Sequence, residues 1–169
     1  MRQEAIIMKT IEITDQEKIE AILSKANICF VGMTGGDGAP YVIPMNFGYE
    51  EGVFYLHSGQ HGRKMEALKQ NPRVCIAVSV GNEIVYQHPD VACSHSVRAE
   101  SVVAEGLVEF IEDLDEKAEA LNIFMRGHTG RDYTYSAPAL KNVVVWRVKP
   151  QKINSKCKGF GLQSKKQEN

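Results

Sequence analysis

No two of the four cysteines are close enough to form a CxxC, and no cysteine–histidine cluster has zinc-site spacing. Cys29, Cys75, Cys93 and Cys157 therefore signal neither a metal centre nor a redox dithiol. Cys29 and Cys75 sit inside apolar, strand-like runs, where a thiol behaves as a small buried hydrophobe. Long apolar stretches are also missing. None approaches the roughly 20 residues needed to cross a bilayer, and Met1 to Thr10 lacks the apolar core of a signal peptide, so a cytoplasmic protein without a membrane partner is expected. A surplus of either charge is absent: the formal net charge is −1, which argues against broad nucleic-acid binding and for a small ligand. The nucleotide signatures GxxxxGK[ST] and GxGxxG do not occur, and no internal repeat is visible.

What remains is a chain of 169 residues, 43% hydrophobic, enough for one sizeable core. A single domain is expected over residues 1–150. Residues 151–169 read as a partly mobile tail, because Lys152, Lys156, Lys158, Lys165 and Lys166 are accompanied by few large apolar groups. Before Thr14 the chain reads as a loose arm or a short lead-in. Thr14-Asp15-Gln16-Glu17 fits a capping box, and Ile19, Ile22, Leu23 and Ala26 then follow at helical spacing. Ile28 to Met33 reads as a strand turned back at Gly35-Gly36-Asp37-Gly38. Tyr41 to Phe47 and Val53 to Leu56 are expected to form a hairpin through Gly48 to Gly52. A short helix follows Gly62 and stops at Asn71-Pro72.

Further strands are expected at Arg73 to Val80, at Glu83 to Gln87 beyond a Gly81-Asn82 turn, and at Val97 to Ile111 with a bulge at Gly106. His88 to Ser96 has no clear period and reads as a loop. Leu114 to Arg126 should be a helix with Ala118, Leu121, Phe124 and Met125 on its apolar face. A polar loop from Gly127 to Pro138 leads to a last strand, Asn142 to Lys149. Short strands with few helices and no regular βαβ alternation favour an antiparallel barrel over a doubly wound sheet.

The chemistry concentrates between Pro40 and Pro72, where a strand delivers His57-Ser58-Gly59 and Gly62-Arg63-Lys64 opens a helix. Backbone N–H groups at a helix start lack intrahelical partners, so small residues, a hydroxyl and two cations there suit a phosphate. Ser58, Arg63 and Lys64 are the candidates; the plain alternative is a capped turn with two solvated cations. Asn46 is an amide amid apolar residues that needs partners if buried. His57 fits three roles, a hydrogen-bonding neighbour of a ligand, a proton donor, or a satisfied structural histidine.

YVIPMNF, FYLHS, GRKMEALKQNP and RVCIAV, in this order, with a later ACS and a GLVEF strand, resemble the pyridoxamine 5′-phosphate oxidase-like FMN-binding split barrels. The nitroimidazole-resistance branch is the most similar, over about Thr14 to Val148. The resemblance implies an antiparallel split β-barrel with flanking helices, and a homodimer with flavin held between subunits. It implies that Ile43, Pro44, Met45 and Asn46 lie along an FMN ring, with FAD as a possible substitute. His57 and Ser58 would end the neighbouring strand, Arg63 and Lys64 would hold the phosphate, and Ser101 would approach the flavin, often from the partner subunit. Two activities follow from it: an oxidoreductase reducing a small electrophile such as a nitroimidazole or other nitro compound, with His57 as candidate catalytic group, or a flavin or haem binding protein without turnover. Members of that branch commonly carry Arg-Tyr-Arg-Ser where this chain has Arg98-Ala99-Glu100-Ser101.

Overall fold

The computed structural model describes residues 9–160 and 163–164. It is a nine-stranded antiparallel sheet with four helices, and the sheet does not close. The hydrogen-bonded path runs β3 (Pro40–Met45), β2 (Cys29–Thr34), β6 (Arg73–Tyr86), β7 (His95–Ile111), β8 (Val144–Phe160), β5 (Val53–Ser58), β4 (Gly48–Glu50). On the flanks, β1 (Lys9–Glu12) pairs with β8 and β9 (Gln163–Ser164) with β6. Thus β3 and β4, separated only by Asn46 and Phe47, stand at opposite ends of the path. That seam is the split of a split barrel.

The seam also corrects the expected hairpin. Tyr41 to Met45 pairs with β2 across the Gly35–Gly38 turn, while Val53 to Leu56 pairs with β4 and β8. Glu51 (φ 48°) and Gly52 (φ 83°) form the tight turn between β4 and β5, two successive left-handed residues of the kind that match strand twist. The sheet edge at Met45 is released because the next two residues leave the ladder.

Three longer elements also differ from expectation. The Gly81-Asn82 pair makes a bulge inside one 14-residue strand, between Val80 and Glu83, rather than a turn between two. Gly81 has φ 80°, and a Cβ there would lie 3.1 Å from the Arg98 carbonyl oxygen, so the extra residue fits only without a side chain. The second bulge, between Glu105 and Gly106, falls where the sequence places it. Beyond Lys149 the chain does not loosen: β8 runs through Pro150 to Phe160, pairing with β7 and β1, so the expected boundary at residue 150 falls inside a strand. Lys152, Lys156 and Lys158 point outward while Ile153, Ser155, Cys157 and Gly159 point inward. The alternation is real but its inward side chains are too small to look like a core stripe. Lys165 and Lys166 lie outside the described residues. Lys9–Glu12, expected as a loose arm, is the strand β1 on the other edge of β8.

Helix α1 (Gln16–Leu23) is capped by Asp15, whose carboxylate accepts from the Lys18 N–H at 3.1 Å, one residue later than the Thr14 cap expected. Helix α2 is Arg63–Gln70. Helix α3 (Leu114–Thr129) starts on Asp113, which accepts from two backbone N–H groups, and ends on left-handed Gly130. It runs one turn beyond the expected Arg126, which places His128 on a helix rather than in a loop. Lys117, Ala120, Leu121 and Ile123 are its buried residues, so the buried stripe is rotated from the expected Ala118, Leu121, Phe124, Met125. A short helix, α4 (Ala137–Asn142), with Ser136 as cap, replaces the end of the expected loop. His88 to Ser94 is irregular, with a single 3₁₀ turn at Ala92–Ser94, and β7 starts two residues earlier than expected.

Inside the sheet, Trp146, Phe54, Leu56, Ile76, Val31, Val102 and Val148 are almost wholly buried in one cluster. Cys29 belongs to it, and burial pushes its thiol up to about 12. Cys75, expected to be buried, is exposed on the outer face of β6. A second cluster, Ile111, Ala120, Leu121, Leu140 and Val145, joins α3 and α4 to the outer face of β7 and β8.

Candidate functional site

Strand β5 alternates Phe54 and Leu56 inward with Tyr55 and His57 outward, and α3 covers the outward side. The approach is close because residue 48 is glycine: a Cβ there would lie 2.7 Å from the Phe124 Cα. The His57 ring meets Phe124 edge-on at 4.7 Å and 86°, and Phe124 stacks on His128 at 4.5 Å. His128 is itself fixed by its Nε2, 3.1 Å from the Phe47 carbonyl oxygen. Against this aromatic wall the His57 Nδ1 is buried with no hydrogen-bond partner among the described residues. Burial pushes the imidazole below its ordinary range, and the neighbouring Lys64 and His128 charges push the same way. His57 therefore favours its neutral form at pH 7 and lies beside a cation.

That cation comes from α2. Gly62 (φ 107°) caps the helix without any side-chain hydrogen bond, so the first backbone N–H groups of α2 stand free of a capping side chain. Lys64 is half-buried, burial lowers its pKa, and no carboxylate pairs with it among the described residues. A cation on the first turn of a helix runs against the helix dipole, so its placement there costs stability unless an anion compensates. Ser58 donates to the Gly59 carbonyl at 3.0 Å and lies 3.3 Å from the Met65 sulfur. Arg63 turns away from this pair: its guanidinium lies over the Tyr41 ring at 4.4 Å, close to the β2–β3 turn at Gly35. Gln70, at the far end of α2, reaches the same turn at Gly36. Helix α2 thus straddles the seam, carrying the end of β5 across to β2 and β3.

The remaining candidates fall on β3 and β7. Ile43 and Met45 pack against the core, whereas Pro44 faces outward, in a row with Phe30, Ala77 and Val103 on the three neighbouring strands. Asn46 is exposed, and its amide donates to the Asn27 carbonyl at 2.8 Å. Ser101 is opposite Ser79 and Lys156 on the same outer face as Pro44. It is three strands from β3, which at about 4.8 Å per strand is roughly 14 Å. One chain therefore brings together His57, Ser58 and Lys64, sets Arg63 and β3 beside them across the seam, and leaves Ser101 apart.

Residues 15–156 match the family described as pyridoxamine 5′-phosphate oxidase. The chain belongs to this family. Among solved structures it is similar to a candidate 5-nitroimidazole antibiotic resistance protein from Bacteroides thetaiotaomicron VPI-5482, with 49% identity over 94% of this chain and 92% of that one, at a TM-score of 0.82. It is also similar to a flavocytochrome from Azotobacter vinelandii, at 26% identity, TM-score 0.76, covering 92% of this chain and 72% of that one. A FAD and haem binding protein from Mycobacterium smegmatis has the same fold, with TM-score 0.76 over 90% of this chain and 75% of that one, at 19% identity. No curated protein matches the sequence. Among the described residues no helix is long and apolar enough to cross a membrane, and no three His, Cys, Asp or Glu side chains gather as metal ligands.

A flavin phosphate fits the chemistry of the β5–α2 corner: a half-buried lysine with no carboxylate partner among the described residues, uncapped helix N–H groups and an imidazole whose charged form is disfavoured. Sequence reasoning missed Phe124 and His128 as parts of this corner. Their i, i+4 spacing was available as a signal, but only once the helix is extended past Arg126.

Proposed function

We propose that the chain binds FMN at the seam and uses it as an oxidoreductase, passing reducing equivalents from a nicotinamide donor to a small electrophile such as a nitroimidazole or other nitro compound. The observation that carries this reading is Lys64, without a carboxylate partner among the described residues, beside His57 at an uncapped helix start. The 49% identical neighbour supports the choice of acceptor. Lys64 and the α2 N–H groups bind the phosphate, and Ser58 and Arg63 complete the grip when their side chains turn from Met65 and Tyr41. Residues Ile43 to Asn46 form the wall along the ring. Bound flavin would supply the hydride or electron transfer itself. In this reading His57 would hydrogen-bond the ligand and, as candidate catalytic group, move a proton there.

A homodimer completes the site in this reading. Ile28, just before β2, Phe30 on β2 and Val42 on β3 are each at least 50% exposed near Pro44, an apolar face that a second copy would cover while bringing its Ser101 to the ring. Purified protein should carry about one FMN per chain. NAD(P)H should bleach it in stopped flow, and a nitroimidazole should restore the colour. Colourless protein that takes up neither FMN nor FAD ends the proposal, and bleaching that no acceptor reverses leaves a flavin carrier without turnover.

A further inference from the structure

On the far side of the Gly59–Gly62 loop, between α2, α4 and the adjoining ends of β7 and β8, lies a cavity of about 360 Å³ that the flavin reading does not use. One part of its wall is apolar, Met65, Phe110, Ile111, Val143 and Val144, while Gln60 and His61 line it from the loop. The charge on it is one-sided. Lys117, Lys69 and Lys141 line it against a single acid, Glu112. The two outer lysines are exposed, but Lys117 is only 7% exposed. Its ammonium donates to the carbonyls of Leu140, at 3.4 Å, and Val143, at 3.2 Å, at the end of α4. No carboxylate lies within ion-pair distance of it among the described residues. An ammonium has three N–H donors, so one is unassigned among the described residues, and a buried charge whose partners there are two long carbonyl contacts is undercompensated. The cavity is also held open in shape: the Gln60 amide donates to the Lys141 carbonyl at 2.8 Å and ties the loop to α4.

We propose that this cavity binds a small monocarboxylate with a compact apolar body. The carboxylate meets the third N–H of Lys117, with Lys69 and Lys141 drawing it in at the rim. The apolar body lies on Phe110, Ile111 and Val143. A bare inorganic anion gains nothing from that wall, and a neutral apolar molecule leaves the ammonium as it is. The size sits at the small end of ligand pockets. The site is separate from the seam, so it stands or falls without the flavin.

The test is calorimetric titration of the full chain with phenylacetate, with 2-phenylethanol and inorganic phosphate as comparison probes. Saturable phenylacetate binding is expected, unchanged by saturating FMN and unchanged in Lys64→Ala. Lys117→Met keeps the bulk and the apolar stem, and should weaken binding about tenfold or more. Lys69→Gln combined with Lys141→Gln alters only the exposed rim, and should weaken it several-fold even if the Lys117 variant does not fold. Absence of saturable binding would make Lys117 only a cap on α4 and overturns the proposal. Equal affinity for 2-phenylethanol or phosphate, displacement by FMN, or wild-type affinity in a folded Lys117→Met or in the rim variant overturns it as well.

Discussion

The two faces of β2, β3, β6 and β7 are built from similar residues and end in opposite situations. Inward, Val31, Ile76, Val78, Val102 and Ala104 are closed over by β5, β8 and α1. Outward, Phe30 and Val42 are half or more exposed, and Pro44 and Ser101 stand on the same surface. The first face is a finished core that accounts for folding. The second is apolar without being covered, and it holds the part of the proposed site that one chain leaves incomplete. Stability and cofactor binding should therefore respond to different substitutions on the same strands.

The largest effect should come from emptying the inner face. Trp146 is fully buried, and Trp146→Ala should cost about 3–5 kcal/mol in denaturant unfolding, enough to consume much of a domain's stability. A cost below 1 kcal/mol would mean the two faces are not different in kind. Next comes the outer face: the native protein should scatter light as about twice 18.8 kDa, and Phe30→Asp should halve that mass with secondary structure intact. A native monomer that binds flavin tightly would break the comparison outright. At the seam, Lys64→Ala should weaken FMN binding by about 1.5–3 kcal/mol, roughly ten- to hundredfold, and leave riboflavin, which has no phosphate, nearly unchanged. Equal loss for both ligands would move the phosphate elsewhere.

The smallest effect is a pH dependence. His57 is held below its unfolded pKa of about 6.5 by burial first and by Lys64 and His128 second. The unfolded chain then binds the proton more readily than the folded one. The contribution of this group is fully present above that pH and is lost as pH falls from about 6.5 toward the lower folded value. Unfolding midpoints should drop over that window in apoprotein, and His57→Gln should flatten the slope. A wild-type slope retained in His57→Gln would assign the titration to another group.

Much of this was legible in the residues. Strong apolar runs placed β2, β3, β6 and β7, and the Gly62-Arg63-Lys64 start of α2 stands where its small residues and cations put it. Pairing partners were less legible, because Gly48 to Gly52 contains turn residues wherever the turn is put, and only the tertiary approach of α3 to Gly48 decides that the glycine belongs to a strand. The β8 extension was hidden by small inward residues, Ser155 and Gly159, which are buried but carry little hydrophobic signal. The partner that Asn46 does have, the Asn27 carbonyl, is 19 residues away in sequence and carries no side-chain signature. The inward-facing lysine of α3 was invisible, since a lysine at a helical core position reads as solvent-facing until the carbonyls of α4 are known.

Strand β8 pairs with β7, β5 and β1, three segments that all precede it in the chain. On a ribosome, until residues 144–160 have emerged, β5 and β7 each present an unpaired ladder and the Trp146 position of the core is empty. Assembly must wait for contacts that span most of the sequence, the arrangement that makes folding slow and leaves sheet edges open to pairing with other chains meanwhile. Nascent chains stalled before Val144 should accordingly be protease-sensitive and sticky, and should become compact in one late step.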